Sequence, residues 1–129
     1  MKPKRYEGIV PVAPHHLRTV TVNGRELATD AEGYLVDRSQ WSEDFARALA
    51  GAHRLTLTPE HWLVISFIRN HWRTRGRTAS LREMVRHFRG VWGRDKGSVG
   101  YLFHLFEAGG GPVKFGNRLA GVPRVAGDA

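Results

Sequence analysis

The sequence predicts an α+β protein that is mostly α: an N-terminal β-hairpin, a helical bundle containing a helix-turn-helix-like αα unit, and a flexible C-terminal arm. Three observations predict it. Residues 19–22 read Thr-Val-Thr-Val, followed by Asn23-Gly24 and then Arg-Glu-Leu-Ala; β-prone alternation around the dipeptide best suited to a type I′ turn specifies a hairpin. Beyond the hairpin, apolar residues recur at the three- and four-residue spacing of amphipathic helices. The last stretch, GGGPVKFGNRLAGVPRVAGDA, is a short helix-compatible segment followed by small residues and proline.

A chain of 129 residues, 41% hydrophobic and 25% charged, has the size and composition of one globular domain with a modest core. That domain is placed at residues 19–129, its arm at 109–129, and residues 1–18 read as an irregular, proline-containing extension. No apolar run approaches the ~20 residues of a membrane span, and the leader lacks the apolar stretch of a signal peptide. A cytoplasmic protein without membrane association is expected.

The elements follow in order. Asp30-Ala31-Glu32-Gly33 supplies a second turn, and Tyr34, Leu35 and Val36 a short third strand or bridge. Ser42 caps the first helix, Glu43 and Asp44 occupy its first turn, Trp41 packs back as a hydrophobic staple and Gly51 closes it. Thr58-Pro59-Glu60 gives the second helix an N-cap, a proline at the first helical position and an acid at the positive end of the dipole. Trp62, Ile65, Ile68 and Trp72, widened by Val64 and Phe67, put this helix through the centre of the fold.

Ser80 and Glu83 form a capping box for a third helix, with Leu81, Met84, Val85 and Phe88 inward and Arg82, Arg86 and Arg89 in one narrow outward sector. Residues 90–96 link it to a fourth helix starting near Gly97. That helix is expected to bury Tyr101, Leu102, Phe103, Leu105 and Phe106. Pro112 and Gly121 bracket a last helix over 113–120, and Pro123 prevents its continuation.

The chain contains no cysteine, which removes disulfides, thiolate metal sites and thiol nucleophiles together. It has no Walker-type loop and no H-E-x-x-H motif. Of seven histidines, His15 and His16 are adjacent and the rest scattered, so they read as surface or core residues. Neither a metal, nor a cofactor, nor a catalytic residue is expected. The net charge is +8, and sixteen of the twenty basic residues are arginine, a balance that favours an anionic partner. Nine basic residues fall between Arg69 and Lys96 against only Glu83 and Asp95. This clustering raises nucleic acid as a partner, with Arg82, Arg86, Arg89, Arg94 and Lys96 as candidate contacts and transcriptional regulation as the role. A seven-residue link is longer than a compact helix-turn-helix allows, and the fourth helix offers only Ser98 and His104 to read bases. Phosphate attraction is therefore better supported than sequence recognition.

The spacing G-P-x-K-x-x-x-R-x-A-G-x-P at the C-terminus resembles the signature of the DsrC/TusE family. VNGRELATDAEGYL is similar to that family's hairpin, Trp41 to a tryptophan of its first helix, LTPEHWLVISFIRNHW to its central helix, and KGSVGYLFHLF to the segment before the tail. The resemblance covers residues 19–129. It implies the family's fold, a setting in sulfur metabolism, and partners resembling sulfite reductase or the TusBCD proteins of the sulfur relay. In the family, a flexible arm presents a penultimate cysteine to a partner's active site, and sulfite-reductase-associated members carry a second cysteine upstream. Aligning the tails puts Asn117 at the upstream position and Asp128 at the penultimate one. Neither residue carries sulfur. Lys114 and Arg118 match the family's basic positions beside the arm and become candidates for partner docking. The expectation is a non-catalytic regulator or adaptor, whereas likeness alone would assign a sulfur-relay protein or a sulfite reductase gamma subunit.

Overall fold

A computed structural model describes residues 17–123 of the chain; the leader before Leu17 and Asp128 lie outside them. β1 (Arg18–Val22) pairs antiparallel with β2 (Arg25–Thr29), Val22 facing Arg25 and Arg18 facing Thr29. Asn23 and Gly24 both take positive φ, 51° and 81°, as a type I′ turn demands. Val22, Leu27 and Thr29 turn inward. The third strand is reduced to a single bridge between Thr29 and Leu35. The Asp30 carboxylate accepts the amides of Glu32 and Tyr34, so the chain turns instead of extending.

A 3-10 turn (Arg38–Gln40) leads into α1 (Glu43–Ala52), capped by the Ser42 hydroxyl on the Phe45 amide. Gly51 does not close this helix. The reversal comes three residues later, where Arg54 takes φ 61°. There the amides of Arg54 and Leu55 return to the carbonyls of Gly51 and Ala50, the Schellman pattern with a non-glycine residue in the left-handed position. α2 (Pro59–Arg75) starts with Thr58 in a capping box whose second member is the His61 ring, and ends at Gly76. It does run through the core, but on a face rotated from the expected one: His61, Val64, Ile65, Ile68 and His71 are buried. Trp62 and Trp72 flank that face half-buried, beneath the guanidinium groups of Arg47 and Arg38.

α3 (Leu81–Trp92) buries Met84 and Phe88 and continues three residues into the link expected at 90–96, so that the link occupies residues 93–98. α4 (Val99–Leu105) is capped by Ser98. The two helices approach closely because Gly97 has no side chain: a Cβ there would lie 2.2 Å from the Arg89 Cα. Leu102, Leu105 and Phe106 are buried as expected, but Phe103 is 45% exposed. Its ring lies over Gly111, where a Cβ would be 2.6 Å away, so it covers a loop instead of entering the core.

A second 3-10 turn (Glu107–Gly109) precedes α5 (Lys114–Ala120), which packs on α2 and α1. Phe45, Phe88, Phe106 and Phe115 are fully buried with Ile65, Ile68, Met84, Leu102 and Leu119 in one continuous cluster; each such side chain contributes about 1.5–3 kcal/mol relative to exposure. The placement of an arm over 109–129 is thus corrected in its first part. Gly111, Pro112, Leu119, Ala120, Gly121 and Val122 are all buried, so the chain belongs to the core as far as Val122.

Candidate functional site

The site is built on α5 and the point where the chain leaves it. Gly121 takes φ 70°; its amide bonds to the Arg118 carbonyl and that of Val122 to the Asn117 carbonyl, a Schellman end. Two distant side chains satisfy the remaining carbonyls. Trp41 Nε1 donates to the Leu119 oxygen at 2.8 Å, and Arg69 Nη1 donates to the Ala120 oxygen at 2.8 Å. Arg69 also stacks over the Trp41 ring at 3.6 Å. Burial first, and the neighbouring Arg73 charge second, lower its pKa from the ordinary arginine value. Gly121 is required here, since a Cβ would lie 2.4 Å from the Trp41 ring. A positive group at the negative end of a helix is favourable, and this one fixes where the chain departs. In the sequence Trp41 reads as a staple and, by resemblance, as a family tryptophan, and Arg69 as the first of nine clustered basic residues. Nothing local in the sequence pairs them with residues 119 and 120.

The two candidate docking cations differ. Lys114 is exposed and rims a depression of about 490 Å³ shared with Arg18, His53 and Arg118. Arg118 is a brace. Its Nη1 donates to the Glu32 carbonyl at 2.7 Å, its Nη2 to the Gly109 carbonyl, and its aliphatic stem packs on Gly33. It joins the turn after β2, the loop before α5 and α5 itself, which leaves Lys114 as the freer of the pair.

Asn117 faces inward. It is 0% exposed, and among the described residues neither its Oδ1 nor its Nδ2 has a hydrogen-bond partner. A buried amide without partners is unfavourable by about 1–3 kcal/mol, so this position suits a small, weakly polar side chain better than the residue it holds. Asp128, which the resemblance aligns with the penultimate position, is outside the described residues.

The basic cluster of residues 69–96 separates into groups. Arg69 serves the end of α5. Arg77 pairs with Glu83 at 2.9 Å, and Glu83 also meets His71 Nε2 at 3.3 Å. The hydrogen bond from Arg77, followed by the Ser80 amide, holds the Glu83 carboxyl well below the usual carboxylate range. Lys96 is tied to Glu60 at 3.1 Å, and Glu60 also accepts from the Tyr101 hydroxyl. The Tyr101 bond is the main cause lowering the Glu60 pKa, and it raises that of Tyr101. Lys96 is therefore engaged at the start of α2, away from the α3 arginines. Arg82, Arg86 and Arg89 line one groove with Leu81, Val85 and Val99; Arg94 is exposed in the link. Ser98, one of the two residues of the fourth helix left to read bases, spends its hydroxyl on the Tyr101 amide as the α4 cap.

These features define a small α+β domain whose last helix is locked so that the following chain leaves from one fixed point. A family model described as DsrC like protein matches residues 21–127. The chain is 40% identical over 107 residues to a protein named sulfurtransferase TusE homolog from Haemophilus influenzae, covering 83% of this chain and 96% of that one. It is 38% identical over 101 residues to sulfurtransferase TusE from Escherichia coli K12, covering 78% and 91%. Among solved structures it is similar to Allochromatium vinosum DsrC (TM-score 0.75, 33% identity, 88% of this chain and 99% of that one). It is also similar to the oxidized gamma-subunit of the Archaeoglobus fulgidus dissimilatory sulfite reductase (TM-score 0.77, 32% identity, 87% and 100%). The chain belongs to the DsrC/TusE family.

Proposed function

We propose that this chain is a non-carrier member of its family: it docks on proteins of sulfur metabolism as a regulator or adaptor and transfers no sulfur itself. The observation that carries the reading is Asn117, a fully buried amide at the position the resemblance gives to a cysteine, in a sequence of 129 residues without cysteine. A persulfide needs a thiolate that serves as nucleophile and leaving group, and an amide or carboxylate is neither. The likeness to TusE sulfurtransferases and to a sulfite reductase gamma-subunit supports partners of those kinds. The clamp of Trp41 and Arg69 on α5 supports docking, because it presents the C-terminal segment from a fixed base. Competition is the simplest mode, with the segment after Pro123 entering the partner site that a cysteine-bearing relative would use.

Two measurements test this. Titration of the full chain against TusBCD-like and sulfite-reductase-like proteins is expected to show binding, weakened by Lys114→Glu and competitive with a cysteine-bearing relative. Absence of binding to both refutes the reading. Mass spectrometry after incubation with a persulfide donor is expected to show an unchanged mass, and a stable gain of one sulfur atom refutes it equally. Nucleic acid is the weaker reading of the basic surface: with Ser98 used as a cap and Lys96 paired to Glu60, the α3 and α4 surface supplies phosphate attraction and little base recognition.

A further inference from the structure

We propose that the groove between α3 and the start of α4 is a docking site for an acidic amphipathic helix of a partner protein. It is a surface separate from α5, and it does not depend on what binds there. The floor is apolar, formed by Leu81, Val85 and Val99, and the rim is Arg82, Arg86 and Arg89, around an open depression of about 670 Å³. Val99 is 48% exposed, an uncovered branched residue at the first position of α4. Among the described residues, none of the three guanidinium groups has an ion pair or hydrogen bond. The one acid of α3, Glu83, is bonded to Arg77 and His71.

The pairing of apolar floor and cationic rim selects the occupant. Beside the three arginines, the exposed Val99 and the half-covered Leu81 and Val85 form an apolar strip next to unpaired positive charge, the surface that an amphipathic helix covers. At about 1.5 Å per residue, Arg82, Arg86 and Arg89 rise along α3 in steps of about 6 and 4.5 Å. Acids at i, i+4 and i+7 of a second helix lying alongside repeat the same steps, and that helix's i, i+3, i+4 apolar stripe meets the floor. A phosphodiester backbone matches the charge but has no apolar face for Val85 and Val99, and the groove contains no aromatic residue on which a base could stack. A second copy of the chain, at net charge +8, approaches against its own repulsion.

The test uses the full chain and a fluorescent synthetic helix with leucines at i, i+3, i+4 and i+7 and glutamates on both flanks, read by anisotropy and by methyl NMR. The expected result is micromolar binding with shifts at the Leu81, Val85 and Val99 methyls. Arg86→Glu is expected to weaken it about tenfold or more. Arg25→Glu, which makes the same change in net charge on the exposed hairpin turn, is expected to leave it unchanged; thermal melts establish that both variants fold. Equal binding of a scrambled peptide of the same composition overturns the proposal, as do equal effects of the two variants or shifts confined elsewhere. Tighter binding of a DNA duplex through the same arginines assigns the groove to nucleic acid instead. Concentration-dependent broadening of the Val85 and Val99 methyls without peptide assigns it to a second copy. Either result also overturns the proposal.

Discussion

Replacing Asn117 by cysteine should make this protein more stable. The Asn117 side chain is 0% exposed, and its carbonyl and amino groups both lack partners among the described residues; an amide of this kind can accept twice and donate twice. Folding removes those groups from water and returns nothing, a loss of about 1–3 kcal/mol. Cysteine is close to asparagine in volume and of similar helix propensity, so Asn117→Cys removes the penalty without opening a cavity. Urea unfolding should show a higher midpoint at unchanged slope, and the melting temperature should rise by roughly 4 °C per kcal/mol gained. Asn117→Asp should do the reverse, losing about 3–5 kcal/mol as an uncompensated buried charge. The introduced thiol should react with a thiol reagent slowly in the native protein and rapidly in urea. If Asn117→Cys is instead less stable than the parent by 1 kcal/mol or more, roughly one hydrogen bond's worth, the amide is bonded within the core and the reasoning fails. A native reaction at the rate of a free thiol would show that α5 is not clamped as described.

Further outcomes follow from the same geometry. Trp41→Phe keeps a ring under Arg69 but removes the bond to the Leu119 carbonyl. It should cost about 0.5–1.5 kcal/mol in denaturant unfolding and raise hydrogen exchange at the Gly121 and Val122 amides; unaltered exchange would mean the Schellman end stands without Trp41. Gly97→Ala should lose about 1–3 kcal/mol or more, because the new methyl meets α3 backbone instead of a movable side chain; a neutral result would contradict the close approach of α3 and α4. Glu83 has a depressed folded pKa, so its contribution is complete above its unfolded value near 4.5 and drains away as the pH falls below it. Glu83→Gln should therefore be less stable at neutral pH and show a flatter loss of stability below about pH 5. Parallel pH profiles for parent and variant would remove Glu83 from the account.

Local chemistry was legible wherever a few neighbouring residues decide the outcome. Asn23-Gly24 fixes its own turn, Ser42, Thr58 and Ser80 cap their helices, and Gly121 ends α5. Errors came where a distant partner or a competing local bond intervened. Gly51 looked like a helix stop until the reversal was found at Arg54. Phe103 looked like core until its ring proved to cover Gly111. Lys96 was grouped with the α3 arginines because it is near them in sequence, whereas its charge is held by Glu60 across the fold.

For the candidate site the division is similar. The sequence by itself determined that these 129 residues offer no thiol, since composition needs no coordinates, and its resemblance drew attention to position 117 in α5. Only the tertiary structure decided that Asn117 is buried without a partner among the described residues, that Arg118 braces two loops while Lys114 stays exposed, and that Trp41 and Arg69 finish the last carbonyls of α5. Those contacts span up to 86 positions along the chain, and no periodicity or spacing encodes them. They arise when separate helices bury their apolar faces together, and packing then chooses which polar groups meet.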